Sequence, residues 1–198
     1  MRAMPNKFKC VRSGAKVFWG EIAPCEHLVQ IYTDDRGFID SLEGFIGGGL
    51  EAGEAVIVIA SAAHRSSLES RLAERGVDLA AARASDQYIA IDADEMLDRF
   101  MVNGWPDDAL FGEVITKIIT RARANNRRVR AFGEMVAHLW AQGYCGATVR
   151  LEHLWNEFLH VEAFSLFCAY PKSGFTESSS DSFQQICAAH SKMISADA

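Results

Sequence analysis

A chain of 198 residues that is 49% apolar is long enough to bury one sizeable core, and a single domain is the expectation. Its 26 acidic and 20 basic residues give a net charge of −6, which works against non-specific binding to nucleic acid or anionic membrane. No run approaches the roughly 20 apolar residues that span a bilayer, the N-terminus lacks signal-peptide order, and the 5 scattered cysteines form no C-x-x-C pair. Neither a disulfide framework nor a thiolate zinc site is indicated, and the chain reads as cytoplasmic.

Residues 1–24 show no sustained period and read as an arm, with one short element at Lys16 to Trp19. Leu28 to Tyr32 is a short β-branched and aromatic run that stops at Thr33-Asp34-Asp35, a strand feeding a capped helix. Phe38, Leu42, Phe45 and Ile46 recur at helical spacing, and Gly47-Gly48-Gly49 reads as the end of that helix. Ala55 to Ala60 is continuously apolar, as a parallel strand buried on both faces must be. Ser61 then caps a helix that carries Leu68 and Leu72 and closes at Gly76.

Tyr88 to Ile91 predicts a third strand, Asp94 to Val102 a helix, and Gly104-Trp105-Pro106-Asp107 a turn. Phe111, Ile115, Ile118, Ile119 and Ala122 trace a helix face, and Val129 to Phe132 is a strand ending in Gly133-Glu134. Helical patterns follow over Val136 to Gln142 and Leu151 to Leu159, and Phe164 to Tyr170 is the last strand before Pro171. The tail beyond Ser173 is Ser-rich, with a weak helix near Phe183 to Ile186. This alternation predicts an α/β fold, a doubly wound and mainly parallel sheet of about five or more strands with helices on both faces. Ligands of such sheets bind beyond the carboxyl ends of the strands.

Those ends carry Tyr32, Ser61 to Arg65, Asp92, Gly133-Glu134 and Tyr170. A phosphate-binding loop after the second strand needs glycines and a lysine, whereas Ser61-Ala-Ala-His-Arg-Ser-Ser67 has neither, so nucleotide hydrolysis is not expected there. Ser61, His64 and Arg65 retain the character of an anion site at a helix start. Glu134 closes an apolar strand where desolvation would raise its pKa; it is equally a carboxylate serving a helix N-terminus. His153, Glu157 and His160 share one helix face and suit a metal by residue type, but the apolar residues lie on the opposite face, so no metal is assigned and the triplet reads as solvated. Cys168 lies in an apolar strand without a nucleophile pattern and reads as a packing residue. The cluster Arg121, Arg123, Arg127, Arg128 and Arg130 complements a helix dipole, and its exposed part from Arg127 to Arg130 offers a docking face.

Five segments in order, Glu26-His27-Leu-Val-Gln-Ile-Tyr32, Gly53-Glu54, Arg130-Ala-Phe-Gly-Glu-Met135, Leu151-Glu152-x-x-Trp155-Asn156 and Phe164-Ser-Leu-Phe-Cys-Ala-Tyr-Pro171, together resemble the DcmR-type sensory (MEDS) domain. The resemblance covers about residues 25–175, which leaves 1–24 as the arm and 176–198 as a Ser-rich tail whose segment Phe183 to His190 looks like the helix that often follows the domain. It implies an architecture similar to RecA- and KaiC-type proteins without their phosphate loop, and a non-catalytic sensor of small organic molecules in bacterial signal transduction. By motif, His27, Tyr32, Glu134, Glu152 and Asn156 are the expected ligand-binding residues. No cofactor is specified. With no output domain in view, the signal would pass to a protein partner such as a kinase, transcription regulator or anti-sigma factor, directly or as a homodimer, without nucleic acid or membrane. Two alternatives stand beside this reading: a ligand-free interaction or dimerisation module whose pocket is filled by Trp105 and Trp155, and a nucleotide-binding protein using Glu134 and an unconventional phosphate site near Arg65.

Overall fold

The computed structural model describes residues 10–11, 19, 22–23, 25–175 and 180–195; most of the expected N-terminal arm, including Lys16 to Phe18 of its short element, lies outside them. The elements are β1 (Cys10–Val11), β2 (His27–Tyr32), α1 (Asp35–Glu51), β3 (Ala55–Ala60), α2 (Ala62–Glu74), α3 (Leu79–Ala84), β4 (Tyr88–Asp92), α4 (Ala93–Leu97), β5 (Met101–Val102) and β6 (Trp105–Pro106). They continue as α5 (Asp108–Ala122), β7 (Val129–Gly133), α6 (Met135–Ala141), α7 (Cys145–Glu162), β8 (Ser165–Pro171), α8 (Ser180–Ala189) and β9 (Lys192–Ser195).

Among the described residues seven strands form one sheet in the order β1-β9-β2-β8-β7-β3-β4, every pairing parallel. Because each central strand is buried on both faces, the sheet needs two cores. One contains Phe38, Leu42, Phe45, Leu68, Leu72 and Ala82, from α1, α2 and α3. The other contains Met96, Phe111, Ile119, Trp140, Leu151, Trp155 and Ile186, from α4 to α8. The result is the doubly wound three-layer α/β arrangement that the alternating pattern predicts.

Several local expectations change. The Gly47-Gly48-Gly49 run does not end α1, which continues to Glu51. Interior glycines weaken a helix, but here they permit close approach: a Cβ on Gly49 would lie 3.0 Å from both Arg130 Cδ and Val56 Cγ1, and one on Gly48 3.1 Å from the Trp19 carbonyl oxygen. The helix expected from Asp94 to Val102 stops at Leu97, and Met101 to Pro106 folds back as a hairpin. Asn103 and Gly104 form its two-residue loop, both at positive φ (51° and 78°), which is the backbone that an Asn-Gly pair readily adopts.

Arg130, grouped by sequence with the exposed arginines, is buried and paired with Glu54, and it donates to the Phe45 carbonyl. Arg121 pairs with Asp86 and Arg123 with Glu162, so much of the basic run is engaged within the domain. The C-terminal segment read as a tail supplies α8, which packs on α7, and β9, which lies between β1 and β2. No helix among the described residues is long and apolar enough to cross a membrane.

Candidate functional site

β3 passes into α2 on one face of the sheet, while its neighbour β7 passes into α6 on the other, so a crevice opens between their carboxyl ends. Such switch points are where open α/β sheets place ligands. Glu134, first residue beyond β7, stands in this crevice. Its backbone N–H donates to the Ile59 carbonyl, and its carboxylate crosses to accept from the Ser61 N–H at 2.8 Å. It therefore serves the N-terminus of α2 rather than its own helix.

Two imidazoles flank this carboxylate. His64 Nδ1 lies 2.7 Å from Glu134 Oε1, His138 Nε2 lies 3.6 Å from the same oxygen, and His138 Nδ1 is 2.8 Å from Asp94. Burial pushes the Glu134 carboxyl up, as the sequence suggests, but His138, His64 and the Ser61 N–H together outweigh it and hold the group at about 2. The partners respond in kind: Glu134 and Asp94 raise His138 to about 9, and Glu134 raises His64. The crevice thus carries an alternating chain of acidic and basic groups, Asp94, His138, Glu134 and His64, in which the Glu134–His138 pair is charged at neutral pH. Tyr32 stacks on Phe38 with ring centroids 4.7 Å apart, and Phe38 meets the His64 ring edge-on at 5.0 Å, which extends the polar chain into an aromatic wall. Burial and the nearby charges of Glu134 and Asp35 push the Tyr32 hydroxyl to about 12, so it remains a donor.

Ser61 caps α2, accepting from the His64 N–H, and Arg65 is committed to Asp92 at 2.8 Å and to the Ala60 carbonyl. An open groove alongside is lined by Ala62, Arg65, Ser66, Glu69 and Arg83. Of the residues selected by sequence, Tyr32, Ser61, His64, Arg65 and Glu134 thus gather at the carboxyl edge. His138 and Asp94 complete that cluster and were not singled out, because a histidine one turn into an apolar helix and an aspartate after a strand carry no pattern of their own.

His27, Glu152 and Asn156 lie elsewhere. His27 begins β2, at the opposite end of that strand from Tyr32, and faces the α7 side. There His27, Glu152 of α7, Cys168 of β8 and His190, just beyond α8, bring one ligand-type atom each to within 4.8 Å of one another, and all four are buried. The Tyr170 hydroxyl donates to Glu152 Oε1. Asn156, one turn further along α7 and half-buried, lies beside the His27 ring. His153, Glu157 and His160 stay exposed on the outer face of α7. Trp155 is buried against Phe111, whereas Trp105 is exposed on the hairpin.

Fold and crevice define a class: a doubly wound α/β domain whose switch point carries a charged side-chain cluster, with no glycine or lysine in the segment where a phosphate-binding loop would stand. Within that class the chain belongs to the MEDS family, the methanogen/methylotroph DcmR sensory domain, whose profile matches residues 26–191. That match takes in α8 as well as the five sequence segments, so the C-terminal helix is part of the family unit. No curated protein matches the chain significantly.

Proposed function

We propose that this sensory domain binds a small organic molecule at the β3/β7 crevice, without turning it over, and reports occupancy to a signalling protein. The observation that carries the reading is the position of Glu134 at a switch point, with its charge maintained by two histidines and a helix N-terminus. A ligand with a hydrogen-bond donor can compete for Glu134, and one with an acceptor can take the donors of His64, His138 or Tyr32. Either exchange loosens the link between the starts of α2 and α6, which lie on opposite faces of the sheet. A ligand that favours one arrangement of those helices shifts the population presented to a partner.

Thermal unfolding against a panel of short-chain alcohols, amines, halogenated hydrocarbons and nucleotides tests this. A ligand at about a hundred times its dissociation constant adds roughly 2.7 kcal/mol to the folded state. The expected result is a stabilising small organic compound whose effect is lost in Glu134→Gln. A flat panel would overturn the proposal and turn attention to partner docking on the hairpin, where Val102 and Trp105 are exposed beside Tyr144.

A further inference from the structure

The buried group on the α7 side is difficult to explain as packing. His27 Nε2 and His190 Nε2 each lie 3.4 Å from Glu152 Oε2, and Cys168 Sγ lies 3.6 Å from both His27 Nε2 and Glu152 Oε2. Each histidine commits its other nitrogen to a backbone carbonyl: His27 Nδ1 donates to Ala189 at 3.1 Å and His190 Nδ1 to Ile186 at 2.7 Å. Both tautomers are thereby fixed with the Nε2 lone pair pointing inward. Tyr170 occupies Glu152 Oε1, which leaves Oε2 turned toward the same point. Two nitrogen lone pairs, a carboxylate oxygen and a sulfur therefore converge with a single thiol proton among them, and His190 Nε2 has no hydrogen-bond partner among the described residues.

We propose that His27, Glu152, Cys168 and His190 are the four ligands of a buried tetrahedral site for a divalent metal ion of the zinc class. Zinc bonds of about 2.0–2.1 Å to nitrogen and oxygen and about 2.3 Å to sulfur give tetrahedral edges of about 3.3 Å for N···O and about 3.5–3.6 Å for S···N and S···O. The four separations above match those edges to within about 0.1 Å, as the same bond lengths require. On binding, the Cys168 thiol loses its proton to solvent and its sulfur donates an electron pair to the metal. Thiolate and Glu152 carboxylate then cancel the charge of a divalent ion, so the buried centre is neutral overall. Four protein ligands close the coordination sphere, which marks a structural rather than a hydrolytic centre. The ligands come from β2, α7, β8 and the link between α8 and β9, so the ion staples the C-terminal segment onto the sheet. This site is separate from the Glu134 crevice, and the sensor reading stands or falls independently of it.

The test is metal analysis of the purified, tag-free full chain, followed by dialysis against zinc and X-ray absorption at the zinc edge. The expected result is about one equivalent of tightly held metal, coordinated by one sulfur and three nitrogen or oxygen atoms. Cobalt substitution should give intense visible bands and a thiolate charge-transfer band, which vanish in Cys168→Ser and persist in Cys145→Ser. Iron or nickel in place of zinc, bound by the same four residues, would equally support the site. Folded wild-type protein that retains no metal after dialysis, or a bound metal without a sulfur neighbour, would overturn it. Because the absorption measurement uses the wild-type chain, a variant that fails to fold does not obscure the answer.

Discussion

Replacing Glu134 by Gln keeps an acceptor for the Ser61 N–H but removes the charge that raises the pKa of His138 and of His64. His138 rises from 6.5 to about 9 beside Glu134 and Asp94, and Glu134 falls from 4.5 to about 2. These shifts describe one interaction seen from both ends and are counted once. At 1.36 kcal/mol per pH unit the His138 displacement corresponds to roughly 3 kcal/mol at most. Asp94 supplies part of it, and both Asp94 and the imidazole meet solvent, so screening leaves roughly 1–2 kcal/mol for Glu134. The raised histidine contributes stability that is complete below 6.5 and disappears as pH rises through about 9; the depressed carboxyl contributes above 4.5 and loses it as pH falls through about 2. The two windows overlap between 4.5 and 6.5. Urea unfolding of wild type and Glu134→Gln across pH should show the largest gap there, about 1–2 kcal/mol, equivalent to about 2–8 °C in thermal unfolding, closing above about pH 9. NMR titration of His138 gives the direct check, with a midpoint near 9 that falls in the variant. A gap that does not change with pH, or a wild-type midpoint near the ordinary value, would refute the charge chain.

Arg130 and Glu54 are both buried, so Glu54→Gln leaves a guanidinium without its counter-ion and should cost about 3–5 kcal/mol in urea unfolding, with less lost when Arg130→Met is added. A single-variant loss below about 1 kcal/mol would mean that water reaches the pair. Gly49→Ala should destabilise by about 1–3 kcal/mol because its Cβ meets Arg130 and Val56, despite alanine's better helix propensity. Gly112→Ala in α5, where the added Cβ meets nothing within 4 Å, should instead stabilise by about 0.5–1 kcal/mol. Equal signs for the two substitutions would undo the close-approach explanation of α1.

The strands of the central sheet are legible because burial on both faces demands long apolar runs, as in Ala55 to Ala60 and Phe164 to Tyr170. The glycine run in α1 misleads for the opposite reason: locally it resembles a helix stop, and only the distant Arg130 shows why small residues are needed. β9 is a four-residue edge-side strand, Lys192–Ser195, with too little apolar content to stand out. For the carboxyl-edge cluster, topology was enough to indicate Glu134, Ser61 and His64. The buried quartet is drawn from positions 27, 152, 168 and 190, and no spacing rule connects residues that far apart. One signal was available: Thr148, Glu152, Trp155 and Leu159 fall on the buried face of α7, so a carboxylate stood at a core position while the conspicuous His153, Glu157 and His160 lay on the wet face. A charge in an apolar stripe says more about function than a polar triplet on a polar one.

The crevice and the quartet are also closer in structure than in sequence. Gly133, immediately before Glu134, sits opposite Cys168 in the β7/β8 register. α6, which follows Glu134 and carries His138, packs on α7, which carries Glu152. A change in the tilt of α6 on binding of the proposed ligand at Glu134 would therefore act directly on the helix that supplies Glu152, and packed interiors answer such shifts by repacking rather than by stretching. If four ligands lock Glu152 in place, α7 is the fixed wall and α6 the element left to move, so occupancy would be expressed on the surface formed by α6 and the adjacent hairpin. Without that lock, the same ligand would loosen α7 and α8 together. On these two proposals, the metal state would determine which surface carries the signal.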